Sequence, residues 1–527
     1  MKFIFDLVIV NGIVVYGSLT SKEIINIGII KDKIHTISKN KLYGKKIINA
    51  KNLYVSPGFI DIHSHSDISG FISENCESKL YQGVTTEING NCGIGIFPWS
   101  EIYKNQLKTY IQSHSDINYY SIDFNQTKSF SNLKSYLTKR KLPTNQGYLV
   151  GAGCLRIAIM GFKSTPATSL EINKMKLLLE KQLKEGALGI SFGLIYQPGN
   201  FMSKIEIEEL LKVIKEYDKI ASFHIRDEII EIEKSIKEII DYGRKTKAKV
   251  NISHLKIMNK NNWGKSKNIL NLLEEAKHKN ISITFDQYPY EATATNLLVL
   301  IPPNFFNGDI DEFIKNIPIF LQDIIPFIKN NIEKRGGSKN IFISNTFLKE
   351  THLNGKSLEE ISKYLNLNEE ETILYIIKKS RAKAQGIYFS MNLNDLIEFF
   401  NSDLGIIASD GNSFPIKILL NIGTPHPRSF GTFPKFISMT KNYFQIEKII
   451  NKITKKPADL MNLKNRGEIK NGYFADIVIF DLKNIRDCST FTNPFQISKG
   501  IEYVIVNGDI IIKNKKFIPT KNGKILT

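Results

Sequence analysis

The chain has 527 residues, of which 42% are hydrophobic, and it carries a formal charge of +19 from 71 Lys/Arg against 52 Asp/Glu. That length exceeds what one compact domain usually needs, the apolar content allows a large core, and the absence of any long apolar run argues against a membrane span. The lysines are spread along the whole chain, and the most basic local stretch, 256–267, holds the single aromatic Trp263, so a nucleic-acid surface of interleaved bases and aromatics is not expected.

In chain order, the first fifteen residues are apolar but broken by Asp6 and by Asn11-Gly12. They read as a strand and hairpin rather than a signal peptide, since no small-residue cleavage site follows. The pattern returns near the other end, where Val504-Ile505-Val506-Asn507-Gly508 repeats Val8-Ile9-Val10-Asn11-Gly12, and Ala475 to Asp481 adds a further strand signal. The simplest arrangement is one small β-sandwich domain built from both termini, 1–55 plus 457–527. Between them, 56–456 alternates short apolar strands (59–62, 85–89, 148–152, 188–192, 220–225, 249–254, 281–287 and 405–409) with helical Lys/Glu-rich stretches (169–185, 204–216, 229–245 and 265–279). Eight such strands predict an α/β architecture, a (β/α)8 TIM-like barrel. The span 296–388, with Pro302-Pro303, is too long for one crossover and reads as a helical insertion late in the barrel, a candidate lid. The four cysteines, Cys76, Cys92, Cys154 and Cys488, lie far apart with no CxxC pair, which fits a reducing, cytoplasmic setting better than a disulfide framework.

The chemistry-bearing residues fall at the ends of these strands. His63 and His65 close the run Gly58-Phe59-Ile60-Asp61-Ile62-His63-Ser64-His65. A period of two points both imidazoles the same way, and at the C-terminal end of a barrel strand that way is the mouth. Imidazole is a preferred zinc ligand. Cys92 sits in Gly90-Asn91-Cys92-Gly93, where flanking glycines suit close backbone approach; alone it reads as an inert core thiol, beside the histidine pair as a thiolate ligand. His224 and His254 each end a strand, and each alone could equally be a core histidine; two of them, one strand apart, point to metal ligation. Asp410, before Gly411, is either an ordinary Asp-Gly turn or a carboxylate placed to move protons beside a zinc-activated water.

Taken together these segments resemble the N-acyl-D-amino-acid deacylase (D-aminoacylase) family of the metal-dependent amidohydrolase superfamily. The likeness runs through Ser56 to Asp67, Gly83-Val84-Thr85-Thr86, Gly90-Asn91-Cys92-Gly93, Gly186-Ala187-Leu188-Gly189, Ser253-His254-Leu255-Lys256, Asp286-Gln287-Tyr288-Pro289-Tyr290, Pro425-His426-Pro427-Arg428 and Gly472 to Asp476, nearly the whole chain. The resemblance implies a tightly held zinc on Cys92, His224 and His254, a second, weaker metal position at His63 and His65, and Asp410 as acid/base. Many superfamily relatives bridge two metals with a carbamylated lysine on the fourth strand. No lysine occurs in 186–194, which weakens hydantoinase- or dihydroorotase-like readings. The implied substrate is a small-molecule N-acyl-D-amino acid, with no nucleic-acid or membrane partner.

Arg428 can grip the substrate carboxylate bidentately, and Lys256, Tyr196 and one of Tyr288 and Tyr290 resemble the rest of the carboxylate-binding set. In so basic a chain, Lys256 and Arg428 could also be solvated surface residues. The chain departs from the family in carrying Ser413 and Phe414 where relatives usually have a histidine after the catalytic aspartate. The connection to Pro425 is also longer and apolar, with Ile416, Ile418, Leu419 and Leu420. Two alternatives stand beside the deacylase reading: a cyclic-amide (hydantoinase/dihydropyrimidinase-like) hydrolase, and a non-enzymatic assembly protein on an amidohydrolase scaffold. Such a scaffold typically loses metal ligands, and this chain keeps the full candidate set.

Overall fold

A computed structural model of the chain describes residues 4–72, 77–114, 122–306, 308–416 and 423–527. Cys76 and the apolar residues Ile418, Leu419 and Leu420 of the connection after Asp410 lie outside them. Eight strands, labelled β1 (Phe59–Asp61), β2 (Val84–Asn89), β3 (Asn145–Gly151), β4 (Gly189–Gly193), β5 (Ile220–His224), β6 (Lys249–Ile252), β7 (Ile283–Gln287) and β8 (Gly405–Ile407), pair in sequence order, each parallel to the next. The ring is completed at its C-terminal end, where Ser64 bridges Gly411 and the Asp410 amide donates to the His63 carbonyl (2.8 Å). Ile60, Ile88, Leu149, Ile220 and Ile406, from β1, β2, β3, β5 and β8, form one buried cluster with Leu188, which leads into β4, as expected of the packed interior of such a barrel.

The crossover helices form where the sequence places both an apolar stripe and a cap. Helix Ser169–Glu185 starts with a capping box between Thr168 and Glu171, and helix Lys204–Glu216 with one between Ser203 and Glu206. Each such cap contributes about 1 kcal/mol. Helix Ile232–Thr246 buries Ile232, Ile236, Ile239 and Tyr242 at helical spacing.

Both termini join one nine-stranded sheet, in which Tyr54–Pro57 from the first segment pairs antiparallel with Ile477–Phe480 from the second. The two Asn-Gly dipeptides behave differently. Asn507-Gly508 makes the expected hairpin turn, with φ of 47° and 86° and Val506 paired with Asp509. Asn11-Gly12 does not: the strand runs unbroken over Ile4–Val14, and the dipeptide forms a bulge between Ile9 and Gly12. The reason is a neighbour the local sequence does not contain. Strand Tyr54–Pro57 pairs with Ile13 and Val14, and a Cβ at Gly12 would lie 2.4 Å from Val55 Cγ2.

Between β7 and β8 the chain builds more than helices. A three-stranded antiparallel sheet of Ala292–Asn296, Gln385–Phe389 and Ile341–Asn345 accompanies the long helix Ile310–Lys334. This unit roofs the C-terminal mouth of the barrel. Among the described residues no helix is long and apolar enough to cross a membrane.

Candidate functional site

The site is assembled from the loops that leave the C-terminal strand ends. His63 follows β1, Cys92 follows β2, Tyr196 follows β4, His224 ends β5, His254 follows β6 and Asp410 follows β8. Cys92, His254 and Asp410 all adopt left-handed backbone conformations (φ of 55°, 36° and 52°). Non-glycine residues rarely do so, and such conformations, costing roughly 1–3 kcal/mol each, gather at functional sites.

The loop carrying Cys92 is pressed against β3 and β4. A Cβ at Gly90 would lie 2.1 Å from the Leu149 carbonyl oxygen, and one at Gly93 would lie 2.5 Å from the Gly193 nitrogen. Ser191 on β4 clasps the loop by donating to the Gly90 carbonyl and accepting from the Gly93 amide at 2.9 Å. The glycines therefore let the thiol be set at a fixed point over the barrel axis.

Cys92 Sγ lies 3.3 Å from His63 Nε2 and 3.4 Å from His254 Nε2. Asp410 Oδ1 is 3.3 Å from His63 Nε2 and 3.1 Å from His65 Nε2. The donor atoms of His63, Cys92, His254 and Asp410 all fall within 4.8 Å of one another, and those of His224, Glu228 and His254 form a second such group. Burial opposes ionisation of the Cys92 thiol, yet the adjoining His63 and His254 outweigh it and hold the thiol well below its ordinary value. Burial likewise opposes the Asp410 carboxylate, and Arg428, His254 and His63 outweigh it.

A metal is tested by one further observation. His224 is buried; its Nδ1 has no hydrogen-bond partner, and its Nε2 faces the Glu228 carboxylate at 3.4 Å without hydrogen-bond geometry. Its ring stands 4.3 Å from that of His254. A buried imidazole whose nitrogens make no well-formed hydrogen bond is costly unless something ligates it, and a thiolate with imidazoles is a donor set suited to zinc. The residues present fit a metal ion.

Sequence reasoning missed the residues that aim these ligands. Asp286 on β7 accepts from His63 Nδ1 and from the His254 amide, both at 2.9 Å. Glu228, four residues after His224, lies 3.4 Å from His224 Nε2 and accepts from Lys256 Nζ at 2.6 Å. Lys256 Nζ also reaches His254 Nδ1 at 2.6 Å, so it is committed within the site rather than solvated. Beneath them Asp61 accepts from buried Lys79 and from both the amide and hydroxyl of Ser409, fixing the two strand ends that carry His63 and Asp410. The signal for Glu228 was its spacing from His224; for Lys79 none existed, because its partner is eighteen residues away in another element.

The other expected residues separate. Arg428 donates to Asp410 Oδ2 at 2.7 Å, and the Tyr288 ring backs its guanidinium at 5.1 Å. His426 holds the Arg428 backbone by accepting from its amide at 3.0 Å. Tyr196 lines the cavity and contacts Thr295 at 3.0 Å. Tyr290 turns away: its hydroxyl donates to Asp487 at 2.7 Å and its ring packs on His426. Phe414 is buried and stacks on Phe430 at 5.5 Å. On β4, residues 189–193 (Gly-Ile-Ser-Phe-Gly) offer no lysine to bridge two metals.

Residues 420–512 match the model of the Amidohydrolase family. A D-aminoacylase from Alcaligenes xylosoxydans xylosoxydans is 28% identical over 99% of this chain and 97% of its own length. A crystal structure of D-aminoacylase superposes with a TM-score of 0.82 at 28% identity, covering 99% of both chains. The fold is shared as well by an N-acyl-D-glutamate deacylase from Bordetella bronchiseptica, solved with zinc and a phosphonate mimic of the tetrahedral intermediate, at a TM-score of 0.83, 24% identity and full coverage of both chains. With its cluster of cysteine, histidines and aspartate and its lysine-free fourth strand, this chain is similar over nearly its full length to the N-acyl-D-amino-acid deacylases (D-aminoacylases) among the amidohydrolases.

Proposed function

We propose that the protein hydrolyses the amide bond of N-acyl-D-amino acids, releasing a carboxylic acid and a D-amino acid. The observation that carries this reading is the convergence of Cys92, His254 and the buried His224 beside a carboxylate, Asp410, that is itself paired with Arg428. Cys92, His224 and His254 would hold the tighter zinc, with His63 and His65 at a second, weaker position. Zinc held there supplies Lewis acidity, bringing the pKa of a water toward about 7 and polarising an amide carbonyl.

The remaining work falls to the chain's own groups. Arg428 binds the free carboxylate of the substrate through its planar fork. The incoming carboxylate replaces Asp410 at the guanidinium, which leaves Asp410 free at the reacting centre. Asp410 then takes one proton from the attacking water and passes it to the amine nitrogen as the carbon–nitrogen bond breaks. Lys256 holds Glu228 and His254 in place, and the Tyr288 ring backs the guanidinium of Arg428. The D configuration rests on the relatives, whose names carry it. Free cysteines Cys92, Cys154 and Cys488 fit a reducing, cytoplasmic setting.

The zinc-reconstituted protein is expected to hydrolyse an N-acetyl-D-amino acid and to leave a 5-substituted hydantoin untouched. Arg428→Met should raise KM for the amide by about 100-fold, the loss expected when one partner of a buried charged pair is removed. Turnover of the hydantoin alone would transfer the chain to the cyclic-amide class, and a folded protein that takes up no metal would favour the assembly role.

A further inference from the structure

The site cavity does not end at the metal ligands. A second cavity of about 440 Å³ adjoins it, and Tyr196, Glu228, Asn296 and Arg335 line both. Its walls are mixed, with apolar Leu298, Val299, Ile301 and Phe306 set among polar and charged residues that include Asn200, Asp227 and Lys334. Arg335, at the end of the insertion helix Ile310–Lys334, is 4% exposed. Three of the other cations lining these cavities have carboxylate partners, Lys256 with Glu228, Arg428 with Asp410 and Arg226 with Glu238, and a fourth, Lys334, is only half-buried. Among the described residues Arg335 makes no ion pair, and its hydrogen bonds go to Asn331 alone, 2.8 Å to Oδ1 and 3.4 Å to the carbonyl oxygen.

A second donor stands beside it. The guanidinium lies over the Tyr388 ring, 5.7 Å from its centroid, and the buried Tyr388 hydroxyl has no hydrogen-bond partner. Gly386 makes this possible, since a Cβ there would sit 2.9 Å from that hydroxyl oxygen. A buried guanidinium offers five N–H donors and a phenol one more, and leaving them unmatched is costly unless a ligand supplies an anion.

We infer that Arg335 and Tyr388 form a second carboxylate anchor, so that the substrates this chain prefers carry a carboxylate beyond the one Arg428 takes. The inference rests on the amide-hydrolase reading above and deepens it. The additional carboxylate can belong to the amino-acid side chain, as in N-acetyl-D-glutamate, or to the acyl group, as in N-succinyl-D-leucine. It is the insertion, not the barrel, that reads it.

The test measures kcat/KM on the zinc-reconstituted full chain for those two compounds and for neutral N-acetyl-D-leucine, with Arg335→Met and Tyr388→Phe alongside. At least one dicarboxylate is expected to exceed the neutral substrate by about 100-fold, and that ratio should fall to near one in Arg335→Met and by about tenfold in Tyr388→Phe. Whichever compound shows the advantage identifies the source of the carboxylate. A neutral substrate that matches both acids, or a ratio that neither variant moves, overturns the anchor. If Arg335→Met does not fold, Tyr388→Phe, which removes one oxygen, carries the test. Calorimetric titration of the three compounds into Asp410→Asn, with and without Arg335→Met, separates the two claims. Arg335-dependent binding of a dicarboxylate without turnover by the parent keeps the anchor and removes the hydrolase. Turnover of N-acetyl-D-leucine with no preference for acids does the reverse, and failure of every dicarboxylate to bind overturns the anchor.

Discussion

Asp410→Asn lowers kcat for N-acyl-D-amino acids by about 10²–10⁴-fold, the range that a positioned general acid/base contributes, while the protein keeps its metal and its fold. Asparagine has nearly the shape of aspartate and can still accept from Arg428 through its amide oxygen, so the pair at 2.7 Å is weakened rather than replaced by a void. What it cannot do is take a proton from water and return it to the leaving amine. Arg428, His254 and His63 hold Asp410 ionised, the state a base requires before the first proton transfer. Steady-state kinetics with metal analysis on the same preparation check this. A variant as fast as the parent removes Asp410 from the proton path, and a slow variant that has also lost metal makes Asp410 a ligand instead.

The second large effect is expected at Cys92. Cys92→Ala removes the one thiolate from a cluster in which Sγ touches both His63 and His254. Replacing the outer partners of a metal site typically costs about 10–100-fold in metal affinity, and removing a direct ligand costs more. Zinc content after dialysis against a buffered zinc concentration should therefore collapse in Cys92→Ala, and turnover with it. Circular dichroism should show the barrel intact, since the loop's clasp by Ser191 and its glycine contacts do not involve the sulfur. Full zinc retention in Cys92→Ala would show that the thiol is only a neighbour of the histidines.

Much of this site was legible because its residues are local events: a histidine pair closing an apolar strand, a cysteine between glycines, an aspartate at a strand end. Each is a residue type at a strand terminus, and the barrel then delivers strand termini to one place. The residues that orient them were not legible. Asp286 reaches His63 across 223 positions of sequence and Asp61 reaches Ser409 across 348, distances over which no spacing rule operates. The same limit explains the Asn-Gly pairs. The dipeptide turns at 507–508, yet at 11–12 it becomes a bulge, because strand Tyr54–Pro57 arrives alongside and continues the pairing. Tyr288 and Tyr290 have equivalent local sequence, and only the packing of Tyr290 against Asp487 and His426 tells them apart. Arg335 carried no motif at all; it acquires meaning from the cavity that the insertion closes over.

The most direct test of the central claim compares deacetylation of N-acetyl-D-methionine and N-acetyl-L-methionine by zinc-reconstituted and chelator-stripped protein. Zinc-dependent release of acetate from the D isomer, with little from the L isomer, is the expected result. Equal rates on both isomers, or activity that survives complete metal removal, would contradict it.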